Sequence, residues 1–173
     1  MQRHAMSQSR SAIIAGVLLL CSSATAYARS SDRRQPMDVE GASFDTSLND
    51  NGVTVFTGNV TIRQGSLMIQ ADRAEISRAG GNPSRAVLSG RPVRLTEQLD
   101  DGTPMNATSA RVDYDLRTEI VVFTGGVNLQ QPRGNLSGDR VTYNMKSGQV
   151  ASGGAAGGGR VKMRIMPKNA GTP

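Results

Sequence analysis

Few side chains in this sequence can act as a nucleophile, a general base or a soft metal ligand. The 173 residues contain one His, His4, and one Cys, Cys21, with no Trp. Both sit in an N-terminal stretch in which Arg3 and Arg10 precede an apolar run from Ala12 to Cys21, followed by Ala26-Tyr27-Ala28. A basic start, a short apolar core and a small-x-small site form the pattern of a secretory signal peptide. The run has about half the ~20 residues that a membrane-spanning helix needs. A retained anchor is the alternative, and bulky Leu20 argues against lipid attachment at Cys21. Cleavage after Ala28 leaves a chain with no imidazole and no thiol. Such a chain cannot build a His-based triad, a Cys nucleophile, a disulfide or a zinc site of His/Cys type.

Carboxylates and guanidinium groups remain. Asp113 and Asp115 share one strand face, and Asp72 and Asp139 occupy matching positions of a repeat. Paired carboxylates can hydrolyse glycosidic bonds, so a β-solenoid enzyme acting on polysaccharide stays open as a minor reading. Each of these acids also fits a turn or repeat slot that has a structural explanation. Asp100-Asp101 could meet a cation, or simply form a solvated turn. Removing Arg3 and Arg10 from the 20 Lys+Arg leaves 18 against 14 acids, a net charge of +4. Arg dominates the basic set, and its planar fork suits phosphate and carboxylate. Arg63, Arg91, Arg94 and Arg133 lie near strand ends or turns, whereas Arg73, Arg111 and Arg140 recur in one slot and are expected to pair with Asp72, Asp139 or a backbone carbonyl.

The elements that position these groups come from a repeat. The stretch Val53–Ile62, continuing to Ala71-Asp72-Arg73-Ala74-Glu75-Ile76, recurs 67 positions later as Ile120–Leu129 and on to Gly138-Asp139-Arg140-Val141-Thr142-Tyr143. Phe56/Phe123, Thr57/Thr124, Gly58/Gly125, Val60/Val127 and Arg73/Arg140 are identical pairs. The unit is apolar/polar alternation broken by Gly, which is strand and turn chemistry. Val39–Phe44 and Ser109–Tyr114 align with Ala71–Ile76, giving four β-units that end in Phe44, Ile76, Tyr114 and Tyr143. Such units bury their apolar faces on one another. The alternation slips by one residue between Ala71 and Ala74, between Ser109 and Val112, and between Leu136 and Val141. A slip turns the apolar set outward unless a bulge re-aims the strand. Three slips at one repeat position predict a line of bulges and a sheet folded along it into a V or flattened barrel. Two ordinary packed sheets with scattered irregularities are the alternative.

The expected organisation is a signal peptide over 1–28, a mobile leader over 29–36, a β domain over 37–166 with a Gly-rich link at 152–159, and a flexible tail over 167–173. Arg160–Ile165 alternates charge and apolar strictly and reads as a last strand.

Phe-Thr-Gly-Asn-Val at 56–60, Gln64-Gly65, Ala71-Asp72-Arg73-Ala74 and Arg111-Val112-Asp113-Tyr114 resemble the LptA family of OstA-like periplasmic lipopolysaccharide-transport proteins. The resemblance covers roughly Pro36 to Tyr143. It departs at Glu40-Gly41, where the family has an Asp-Arg type pair, and at Ala110, which replaces the Asp. It implies an all-β, twisted, V-shaped antiparallel β-jellyroll with open ends. It implies a periplasmic, non-enzymatic carrier of the lipid A part of lipopolysaccharide, without cofactor or metal. Its partners would be an LptC-like inner-membrane protein, an LptD-like outer-membrane protein and further copies of itself. Acyl chains need a continuous apolar lining, at roughly 0.8 kcal/mol per buried CH₂. Val60, Ile62, Leu67, Ile69, Ile76, Leu95, Val112, Val127, Leu129, Leu136 and Val141 can supply it by alternation. The same residues would serve equally as ordinary core.

An unclosed jellyroll leaves edge strands, near Val39 and near Val161, that can template pairing with another chain. An adaptor or structural β-protein without a lipid ligand is the second reading. Nucleic acid is an unsuitable partner, since the exported chain lacks a cluster of stacking aromatics.

Overall fold

The computed structural model describes residues 32–99, 101–153 and 160–167. The expected signal peptide, the start of the expected leader, Asp100, most of the Gly-rich link and residues 168–173 lie outside the described residues. A 3-10 turn over Asp32–Arg34 comes first. It lies within the expected mobile leader, yet Asp32 accepts a hydrogen bond from the Ser66 amide (3.0 Å), and Gln64 donates to the Gln35 carbonyl (3.1 Å).

Ten strands follow: β1 (Asp38–Glu40), β2 (Ser43–Thr46), β3 (Val53–Gln64), β4 (Leu67–Ala79), β5 (Asn82–Gln98), β6 (Pro104–Asp115), β7 (Ile120–Gln131), β8 (Gly134–Asn144), β9 (Gln149–Ser152) and β10 (Lys162–Ile165). They form one antiparallel sheet in which β3 to β8 pair in sequence order. β1 and β2 share one edge, against β3, and β9 and β10 share the other, against β8.

Turn chemistry sets the hairpins. Gly80 and Gly81 both adopt positive φ (58° and 79°), as a two-residue I′ turn requires. Asp115 accepts from the amides of Arg117 and Thr118 (2.9 and 3.1 Å), and Asn144 accepts from those of Lys146 and Ser147 (3.0 and 3.1 Å). Two repeat-related turns are thus capped by the same side-chain geometry.

A register shift interrupts every pairing between β3 and β8, at Thr57/Val60, Gln70/Arg73, Ser89/Val93, Thr108/Arg111 and Thr124/Val127. These shifts line up across the sheet and divide it into two lobes. The first holds β1, β10 and the nearer halves of the long strands; the second holds β2, β9 and the remaining halves. The slips at Ala71/Ala74, Ser109/Val112 and Leu136/Val141 fall on this line. The extra residues, however, lie on the neighbouring strands, at Gly58-Asn59 of β3, Gly90 to Pro92 of β5 and Gly125-Gly126 of β7. Gly58 (φ 78°) and Gly125 (φ 82°) take the left-handed conformation that glycine adopts without steric penalty. A Cβ at either would press on Ala42 Cβ (2.8 Å) or Ala110 Cβ (3.0 Å).

The same contacts correct the alignment of the first repeat copy. Ser43 stands opposite Thr57 just as Arg111 stands opposite Thr124, and Phe44 opposes Phe56 as Val112 opposes Phe123. Phe44 therefore corresponds to Val112, two residues from the expected match with Tyr114. Ala42-Ser43, not Glu40-Gly41, fills the slot of Asp72-Arg73.

Folding along the bulge line faces the inner surfaces of the two lobes. Val60, Ile62, Ile69, Leu95 and Val127 of the first lobe meet Leu88, Val112, Val121, Phe123 and Tyr143 of the second in one buried apolar cluster.

Candidate functional site

All eleven side chains expected to line a groove fall on the inner face and enter this cluster. Val60, Ile69, Val112 and Val141 are fully buried, and the most accessible, Leu136, is 9% exposed. Their neighbours Asn59 and Asn128 are exposed and Thr61 is half-buried, so the alternation assigns the faces correctly. The interior also contains residues outside that set, notably Leu88, Val93, Met105, Val121, Phe123 and Tyr143. The same period-2 signal runs through them. In β5 it is broken by the two extra residues near Pro92, which hides Val93 from a pattern search.

The side chains of this interior are buried in one another's contacts. Where the free ends of the two lobes meet, two clefts mark the rim. One lies among Met37 and Gln64 of the first lobe and Pro83, Tyr114 and Leu116 of the second. The other lies between Glu97 and Leu99 on one side and Tyr143 and Met145 on the other. Glu97, 8% exposed, is the one charged side chain among the described buried residues. The walls are otherwise apolar, apart from Thr54 and Ser109, which bond back into the sheet: Ser109 donates to the Arg111 carbonyl (2.9 Å), and Thr54 receives the Arg78 guanidinium (2.8 Å).

Several outward ionisable groups pair within the sheet. Arg73 reaches Glu75 on its own strand (3.0 Å) and not Asp72, because residues two apart on a strand share a face. Arg63 lies 3.6 Å from Glu40. Asp113 accepts two hydrogen bonds from Arg85 across β5 and β6, one of them 2.7 Å, and this contact holds its carboxyl below the usual range despite some opposing desolvation. Asp115, on the same face, is lowered chiefly by the Thr118 amide that it caps. Neither acid is set up as a general acid, since each is stabilised as the anion. No group of three or more His, Cys, Asp or Glu that could hold a metal occurs among the described residues.

A depressed folded pKa adds stability above the unfolded Asp value, and that stability is lost as pH falls through the folded value. Asp113→Asn is therefore expected to lower unfolding free energy at pH 7 by about 0.5–1 kcal/mol, a figure reduced for the exposed Arg85. The difference should shrink as pH falls below the usual Asp value and vanish once the carboxyl is protonated. Denaturant titrations at pH 7 and down through the acid range test it, and an equal loss throughout would place the effect elsewhere than the ion pair.

Both lateral edges carry exposed apolar side chains. Phe44 is 67% exposed on β2, and Met163 and Ile165 on β10 are 69% and 70% exposed.

Comparison with known proteins agrees with this architecture. Residues 38–149 match the family model described as LptA/(LptD N-terminal domain) LPS transport protein. The lipopolysaccharide export system protein LptA of Escherichia coli K12 is 35% identical over 130 residues, covering 74% of this chain and 70% of that protein. The protein of the same name from Haemophilus influenzae is 32% identical over 153 residues, covering 86% and 87%. In structure, the chain is similar to LptH of Pseudomonas aeruginosa, described as the LptA homologous periplasmic component of the lipopolysaccharide transport device. The TM-score is 0.69 at 25% identity, covering 79% of this chain and 99% of that one. An open β-jellyroll of this kind, with relatives that are transport proteins and not enzymes, places the chain: it belongs to the LptA family of lipopolysaccharide-transport proteins.

Proposed function

We propose that this chain is a periplasmic carrier that holds the acyl chains of lipid A between its two lobes and hands lipopolysaccharide along a bridge of end-to-end subunits. The observation that carries the reading is the inner surface itself. Two facing sheet halves present a continuous apolar lining from β3 to β8, with Thr54 and Ser109 bonded back into the sheet and Glu97 at the rim. Entry of an acyl chain requires the lobe ends to part at the Tyr114 and Tyr143 clefts. An acyl chain inserted there replaces side-chain contacts with lipid contacts of similar chemistry, so the apolar interior stays out of water.

The edges support the bridge. β1 and β10 run in opposite directions within the sheet, as follows from the unbroken antiparallel order between them. A second subunit set in line with the first would continue the sheet antiparallel, β10 against β1 and β9 against β2. In the periplasm, the LptC-like and LptD-like ends of the bridge would use the same two edges.

Photo-cross-linking with probes at Val60, Ile62 and Leu129, and controls at Asn59, Thr61 and Asn128, tests the lipid half. Lipopolysaccharide is expected to label the first set alone. Equal labelling of both sets would mean surface adsorption. The burial of these side chains against one another favours a second reading, an adaptor without lipid, and absence of labelling in folded protein would select it.

A further inference from the structure

We infer that the two edges of the first lobe carry a charge code that fixes one register for self-association: Asp38 against Arg164, Val39 against Met163 and Glu40 against Lys162 of the next copy. This rests on the end-to-end reading above and specifies its partner and geometry.

Within the subunit, Val39 lies opposite Ile62 and Met163 opposite Leu136. Directly opposed residues share a face. Val39 and Met163 therefore project inward, while Asp38, Glu40, Lys162 and Arg164 project outward. All four charged residues are exposed. On their own subunit, Lys162 and Arg164 face Ser137 and Asn135, which offer no opposite charge. Glu40 has Arg63 at 3.6 Å, but both side chains are mostly exposed, and such a pair leaves the carboxylate open to a second cation.

Antiparallel pairing of β10 with the next β1 must match inner face to inner face, so registers differ by steps of two residues. With Val39 opposite Met163, both outward positions hold acid against base, and Met37 meets Ile165 on the inner side. Sliding one way leaves Asp38 opposite Met166 and a single ion pair. Sliding the other way relies on Arg160 and Val161, which lie outside β10. The two edges also discriminate by sign. β1 against β1 opposes acids, and β10 against β10 opposes bases, so like edges repel and only head-to-tail growth is favoured.

The experiment uses charge-reversed chains at low salt. Asp38→Lys with Glu40→Lys makes both edges basic, and Lys162→Glu with Arg164→Glu makes both acidic. Each double variant alone is expected to self-associate roughly tenfold more weakly than wild type. An equimolar mixture should recover association, as should one chain carrying all four changes. Recovery in the mixture also shows that both variants are folded. In a Cys21→Ser background, Val39→Cys mixed with Met163→Cys should form a disulfide faster than Val39→Cys mixed with Ile165→Cys. Double variants that associate like wild type, or preferential linkage of 39 to 165, would overturn the code and leave end-to-end association standing. A wild-type chain that stays monomeric at all concentrations tested would overturn both.

Discussion

Phe123→Ala is expected to lower the free energy of unfolding by about 3–5 kcal/mol, the range for deleting a fully enclosed aromatic ring. The same change at Phe56, its partner in the repeat, should remove about half as much. The two residues share the local sequence Phe-Thr-Gly but not the same surroundings. Phe123 stands between Val112 of β6 and Val141 of β8, both fully buried. Phe56 stands between Ala74 of β4 and Phe44 of the edge strand β2, whose ring lies 5.8 Å away and is mostly exposed. Loss of Phe123 leaves a cavity walled on both sides, which the sheet cannot close without shifting two long strands. Loss of Phe56 lets Phe44 settle inward. Denaturant unfolding of both variants, with the slopes compared, measures the difference. Equal losses in dilute protein would mean that the β2 edge is as enclosed as the sheet centre.

This contrast shows what the pattern of residues does and does not determine. Alternation is a local consequence of the pleat, so it identified the inner face of β3, β4, β6, β7 and β8 and placed all eleven expected side chains, Leu95 of β5 included, on the buried face. The fold line was also legible, because a regular strand that crosses it must turn two successive side chains outward. Asp72-Arg73, Ala110-Arg111 and Asp139-Arg140 are those pairs, all exposed. The bulges themselves were less visible. In β7 the run Val121, Phe123, Val127, Leu129 keeps its parity straight through Gly125-Gly126, because the extra residue restores the phase. A strand that carries a one-residue bulge therefore looks regular. The two-residue misalignment of Phe44 has a related cause. A shift of two keeps the same face, so apolar pattern alone cannot separate Phe44 as a match to Val112 from a match to Tyr114; the pairing of Ser43 with Thr57 decides it. Whether the interior is filled or open depends on how far apart the two lobes stand, a distance that no single strand encodes.

Gly134→Ala should disconnect one edge of the molecule and, with it, the proposed end-to-end assembly. Gly134 starts β8 opposite Ile165, and a Cβ there would fall inside the van der Waals surface of the Arg164 carbonyl oxygen. The obstacle is backbone, so no rotamer change relieves it. Either β10 leaves β8, or the start of β8 moves away from the Gln131 end of β7. The first is far cheaper. Every residue of β10 is exposed, so its release forfeits little apolar burial, whereas displacing β8 would uncover Leu129 and Leu136. Global stability should fall by no more than about 1 kcal/mol. Amide exchange should become fast at Met166, whose N–H donates to the Arg133 carbonyl (2.9 Å), and along 162–165, while β3 to β8 keep their protection. Without β10 the Lys162 and Arg164 side chains no longer hold fixed positions at the edge, and β1 of the next copy loses its template. Sedimentation should then show a monomer where wild type is expected to form chains, and truncation after residue 159 should reproduce that result. Chains of undiminished length from a variant whose β10 amides do exchange fast would place the docking edge on β9, in the second lobe, where Val150 and Phe44 would be the residues brought together.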